Sequence, residues 1–226
     1  MLGTVLFFGR KNCKYSNQLK KNLDLKSKKF YYIESELIDN KLKRYKFLKK
    51  KFDHIFCFRS YFILSESLIK NTKYGAINFH PSTPKYRGVG GPNYALYNGD
   101  KFFGCTAHFM NKKIDDGKII DVKKFKIKKN DNVESLLKKT YIEMFKQAML
   151  LINEIEKNPL LEKSLIEKNK KYRWGKKINN MKSLNKFYEI KKNTKDKDLK
   201  KKLRATITKK HKPYLKLHNH FFFLKQ

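Results

Sequence analysis

Residues 74–120 read YGAINFHPSTPKYRGVGGPNYALYNGDKFFGCTAHFMNKKIDDGKII. The run at 74–79 is apolar and rich in β-formers, and it stops at His80, Pro81 and Pro84, with Gly88, Gly90 and Gly91 beyond. This is the pattern of a buried strand that ends at a loop free to turn tightly or approach a ligand. Further strands are expected at 102–110 and 118–127, with Asp115, Asp116 and Gly117 as the polar turn between them.

Upstream, residues 2–8 (LGTVLFF) form a continuous apolar run closed by Gly9, which reads as another buried strand. Ser16 is placed to cap a helix through about Leu25, with Leu19, Leu23 and Leu25 as its apolar stripe. A second strand is predicted at 30–33, a basic amphipathic helix at 40–51, a strand at His54–Phe58 and a short helix at Glu66–Lys70. Downstream, residues 133–156 read as one long helix. Strands alternating with helices in this way predict an α/β fold with an open, mostly parallel sheet. Ligands in such sheets sit beyond the carboxyl ends of the strands.

The chain then changes character. Residues 168–226 hold 21 Lys and Arg against 3 Asp and Glu. Short strands are expected at 203–208, 213–217 and 221–224, so the division is residues 1–160 and a small basic β-rich region at 161–226.

Of 226 residues, 55 are Lys or Arg and 20 are Asp or Glu, for a net charge of +35. With aromatics at 14%, the chain is too hydrophobic for a disordered polycation. The charge invites a nucleic-acid reading, yet 49 of the cations are Lys and 6 are Arg. Base readout and phosphate forks favour the planar guanidinium. The surplus lysine reads mainly as a solvated surface, and a nonenzymatic nucleic-acid-binding protein is the alternative from another class. The segment at 74–122 carries six cations and four anions, so the excess lies outside it. Cys13, Cys57 and Cys105 make no disulfide framework, and no apolar run has the roughly 20 residues of a membrane span. The early Arg10 argues against a signal peptide, so a cytoplasmic protein is expected. No metal site is expected, because His211, His218 and His220 lack Cys or carboxylate at ligand spacing. His54, opening an apolar run, reads as structural.

Asn78 and His80 stand at i and i+2, on one side of an extended chain. A carboxamide suits a developing oxyanion, an imidazole moves protons near neutral pH, and a carboxylate from the Asp115–Asp116 turn can orient the imidazole. No Ser, Cys or Lys nucleophile is paired with them. The trio therefore suits acyl transfer to a nucleophile carried by the substrate.

The blocks NFHPSTPKYRG, NYALYNGD, GCTAHFM and IDDGKII, in this order, resemble the formyltransferases that use 10-formyltetrahydrofolate. The resemblance implies a Rossmann-like formyltransferase fold, with Asn78, His80 and Asp115 as the catalytic trio and no metal. The substrate amine would attack the formyl carbon, with Asn78 on the oxyanion, His80 assisting proton transfer and Asp115 holding His80 and a water. His108 is expected either to support the site or simply to pack. Backbone at Phe62 and Leu64, and around Asp115, would bind the folate. Among subgroups, the loop FGRKNCKYSN lacks the Gly-rich phosphate loop of glycinamide ribonucleotide formyltransferases. The tail is short for a methionyl-tRNA formyltransferase, which stays the alternative. The segments IFCFRSYFIL and KLRATITKKHKPYLKL look most like nucleotide-sugar N-formyltransferases, which formylate the 3- or 4-amine of a nucleotide-linked dideoxy sugar. Arg10 and Lys11 would meet the diphosphate. Trp174 would stack on the base or else cover the sheet from the tail. The resemblance also implies a homodimer formed through the C-terminal region.

Overall fold

The computed structural model describes residues 1–37, 42, 45–158 and 160–224. The first strand, β1 (Leu2–Arg10), buries Leu2 and every residue from Val5 to Phe8. Its alternation explains why the run is continuous. Val5 and Phe7 face one core with Leu19, Leu23 and Met144, whereas Leu6 and Phe8 face another with Ile55, Cys57 and Leu68. A strand covered on both faces needs apolar residues at every position.

Helix α1 (Lys14–Lys26) follows, and β2 (Ser27–Ser35) lies parallel to β1. The helix starts two residues before the expected Ser16, with Cys13 at its N-cap. Ser16 is fully buried, and its hydroxyl instead accepts the backbone N–H of Arg10 at 3.1 Å. Strand β2 is longer than the predicted 30–33 because it pairs along the whole of β1. Of the helix expected at 40–51, residues 40, 41, 43 and 44 lie outside the described residues, and Lys46–Lys49 forms a single 3-10 turn.

The sheet continues with β3 (His54–Phe58), the short α2 (Glu66–Lys70) and β4 (Ala76–His80). The two-residue β5 (Arg87–Gly88), α3 (Gly91–Tyr97), β6 (Phe102–Phe109), β7 (Ile119–Lys126) and α4 (Val133–Lys157) complete this part. The six-stranded order is β2-β1-β3-β4-β6-β7, with β6 antiparallel to both neighbours and β1 to β4 parallel. From β1 the chain moves outward to β2, then returns to the other side of β1 for β3. That reversal opens a crevice at the carboxyl ends of β1 and β3.

The tail is more helical than its sequence suggests. It holds α5 (Glu162–Asn169), β8 (Ile178–Asn179), α6 (Met181–Phe187), β9 (Glu189–Ile190), α7 (Asp196–Thr206), β10 (Tyr214–Leu217) and β11 (His220–Phe223). Residues 203–206, expected in a strand, end α7, whose first turn carries Asp196 and Asp198. Ala205 is buried with Leu96, Phe103 and Leu136, so a helical face supplied the apolar residues read as alternation. Strands β9, β10 and β11 make a small sheet. Asn169, closing α5, donates to the carbonyl of Ile120 on β7 at 2.7 Å and so joins the tail to the main sheet. No helix among the described residues is long and apolar enough to cross a membrane.

Candidate active site

Asn78 lies near the carboxyl end of β4, between Cys57 of β3 and His108 of β6. The antiparallel register makes Asn78 and His108 direct cross-strand neighbours, although 30 residues separate them. Asn78 Nδ2 stands 3.2 Å from His108 Nε2. A register shift between Ala107 and His108 falls at this point, where such an irregularity re-aims a side chain.

Asp115 enters from the β6–β7 connection. Its backbone is left-handed, with φ of 44°. Such strain in a non-glycine residue costs of order 1–3 kcal/mol and persists where surroundings enforce it. Here Arg87 does so, donating to the Ile114 carbonyl at 2.9 Å and pairing with Asp116 at 2.8 Å. Gly117 lies so close to β6 that a Cβ would fall 1.7 Å from the Phe109 carbonyl. The adjacent aspartates are thereby separated, Asp116 toward Arg87 and Asp115 toward the histidines.

The Asp115 carboxylate faces His80 Nδ1 at 3.3 Å through one oxygen and His108 Nε2 at 3.4 Å through the other. It also accepts the Gly88 N–H at 2.8 Å. Burial works to raise its pKa, but the charge of His80, the hydrogen bond and charge of His108 and the Gly88 N–H outweigh it, holding the carboxyl well below the usual range. His80 Nε2 donates to the Tyr86 carbonyl at 2.8 Å, so with both ring protons present this imidazole satisfies both acceptors. His108 Nδ1 donates to the Phe109 carbonyl at 2.8 Å, which leaves Nε2 free to accept from Asn78 when the ring is neutral.

Asn78, His108 and Asp115 line a cleft of about 120 Å³ together with Phe62, Ile63, Leu64 and Met110. Phe62 and Leu64 are buried, whereas Ile63 is exposed. The Phe62 N–H is engaged by the Ser60 hydroxyl at 3.1 Å. His80 sits behind Asp115, outside the cleft lining.

Arg10 lies apart from this cluster, at the end of β1, with its Nε donating to the Arg59 carbonyl at 2.8 Å and its guanidinium over the Tyr61 ring. Arg59, directly after β3 and left-handed, covers the Tyr141 ring and donates to Cys13 Sγ at 3.2 Å. Neither arginine has a carboxylate partner among the described residues. Sequence reading passed over Arg59, although arginine's scarcity here and its place after HIFCF were the available signals. Lys11 is not drawn into this crevice and pairs with Glu36 at 2.6 Å on the surface. Trp174 reaches in from the tail, with Nε1 donating to the Gly117 carbonyl at 2.7 Å and the indole edge-on to His108 and His80.

Comparison with known proteins bears on this arrangement. The bifunctional polymyxin resistance protein ArnA of Wigglesworthia glossinidia brevipalpis is 42% identical over 127 residues, which is 55% of this chain and 19% of that protein. The methionyl-tRNA formyltransferase of Clostridium tetani is 39% identical over 104 residues, 46% of this chain and 32% of that one. The chain thus spans about a fifth to a third of the length of these relatives. Among solved structures, the N-formyltransferase of Helicobacter canadensis, in complex with folinic acid and dTDP-3-aminofucose, superposes with a TM-score of 0.64 at 20% identity, covering 97% of this chain and 85% of that one. The family model for formyl transferases matches residues 11–150, well over half of the chain, and the protein is therefore a member of the formyl transferase family.

Proposed function

We propose that this enzyme transfers the formyl group of 10-formyltetrahydrofolate to the amine of a nucleotide-linked 3- or 4-amino-dideoxy sugar. The observation that carries the reading is the pairing of two features at one end of the sheet. One is the cleft holding Asn78, His108 and Asp115, and the other is the arginine pair with no carboxylate partner among the described residues.

The cleft suits a reduced folate. Phe62, Leu64 and Met110 offer apolar walls to a flat heterocycle, and Lys112 and Lys113 at the lining suit its anionic glutamate. The folate supplies an activated formyl group. Asn78 directs its amide N–H toward the formyl oxygen, where negative charge develops as the amine attacks. Asp115 holds the imidazoles of His80 and His108, and His80, acting from behind through Asp115 and a water, assists passage of the proton lost by the amine to the folate nitrogen, which leaves as its bond to the formyl carbon breaks. Arg10 and Arg59, at the crevice between β1 and β3, supply the diphosphate with two fixed guanidinium groups. The Helicobacter relative, with its folate and dTDP-sugar, supports the same pairing of ligands. Self-association through exposed Phe221, Phe222 and Phe223 belongs to this reading.

The deciding experiment supplies 10-formyltetrahydrofolate with dTDP-, UDP- and GDP-linked 3- and 4-amino-dideoxy sugars, and charged initiator tRNA in a parallel arm. Mass spectrometry should find one formyl group added to at least one amino sugar. Formylation of the tRNA alone, or of nothing, overturns the reading.

A further inference from the structure

Trp174 lies outside the 11–150 segment that defines the family, yet it touches the centre of the site. Its ring centre is 4.9 Å from that of His108 and 6.0 Å from that of His80, with interplanar angles of 84° and 63°. Its Nε1–H is fixed on the carbonyl of Gly117, two residues beyond Asp115. The segment around it is sewn to the loop that opens the site. The Gly175 N–H donates to the Pro84 carbonyl at 2.9 Å, and β8 pairs with β5 so that the Val89 N–H donates to the Asn179 carbonyl at 2.9 Å. Gly88 lies on that loop, and its N–H holds Asp115. A Cβ on Gly88 would come within 2.0 Å of the Asn179 carbonyl, so strap and loop meet backbone to backbone.

We infer that Trp174 is a positioning residue of the catalytic cluster, holding the imidazoles of His80 and His108 against Asp115 and keeping water from their ring nitrogens. Each imidazole has one N–H committed to a backbone carbonyl, Tyr86 for His80 and Phe109 for His108. These bonds fix ring orientation only while the rings cannot swing. Asp115 and Asn78 hold them from the cleft side, and the indole closes the tail side. The charged groups facing this cluster are Asp115 and the Arg87–Asp116 pair, which bind the same turn as the indole. The residues at 174–179 are thus part of the active site, although they belong to the tail.

The inference rests on formyl transfer taking place at this cluster, and its principal test is independent of the acceptor. In protein with ¹⁵N-labelled histidine, the Nε2–H of His80 and the Nδ1–H of His108 should give slowly exchanging proton signals, assigned with His80→Gln and His108→Gln. Trp174→Ala should speed their exchange at least tenfold, while Trp174→Phe, which keeps the ring contact, restores much of the protection. His54, on the far side of the sheet end, serves as the folding control. With an acceptor in hand, Trp174→Ala should lower kcat at least tenfold and change KM less than threefold. Unchanged exchange in folded Trp174→Ala overturns the inference, as does exchange in Trp174→Phe as fast as in the alanine variant. A failed acceptor screen with altered exchange would instead count against the amino-sugar reading alone.

Discussion

Asn78 has one neighbour on each side that limits what its amide can do. Cys57 offers no strong partner across β3, and when the His108 ring is neutral its Nε2 takes one amide N–H across β6. The second N–H of the carboxamide remains for a ligand oxygen in the cleft. Replacing the side chain removes both the donor proposed for the oxyanion and the partner of His108. Asn78→Ala and His80→Ala should each lower turnover by about 10²–10⁴-fold with modest change in substrate affinity. Steady-state kinetics on the acceptor found in the screen would check this, and near-normal turnover in both variants would sink the assignment. At this scale the sequence made the convergence of Asn78, His80 and Asp115 legible, because their spacing around Pro, Gly and strand ends is local. Arg59 was not. Its significance depends on Arg10 and Tyr141, which come from distant parts of the chain.

Among the elements, β3 shows how burial sets chemistry without a catalytic purpose. His54 opens the strand, 2% exposed, with its ring stacked between those of Phe56 and Tyr74. Its Nδ1 has no partner among the described residues. Burial pushes the imidazole down from 6.5 to about 4, against a smaller opposing pull from Asp53. The unfolded chain therefore binds a proton that the folded chain refuses between these values. The contribution to stability is full above about pH 6.5 and is lost as the pH falls toward 4, by about 3 kcal/mol in all. Urea unfolding at a series of pH values should show this slope in the wild type and a flatter one in His54→Phe. Identical slopes would contradict the account. The elements best read from sequence were β1, β3, β4 and α4, where the apolar period is long or unbroken. Those misread, such as the end of α7, owe their state to packing against α3 and α4, which no local pattern announces.

Across the whole molecule, the tail and the sheet share a core. Asn93, on α3, donates to the Ala205 carbonyl at 2.7 Å and to the Tyr188 hydroxyl at 3.2 Å, joining the two parts at a buried point. Asn93→Ala leaves that carbonyl without its partner and should reduce unfolding free energy by about 1–3 kcal/mol. Chemical denaturation would measure it, and an unchanged midpoint would show that the two parts hold together by other means. The boundary expected at residues 160–161 therefore marks a change of composition, while packing and buried hydrogen bonds cross it. One more consequence follows from the chain's composition of a single tryptophan. Because that indole rests on His80 and His108, the protein carries an intrinsic optical reporter beside the candidate site. Its fluorescence should register each ligand that enters the cleft, with no label added and no second indole to obscure the signal.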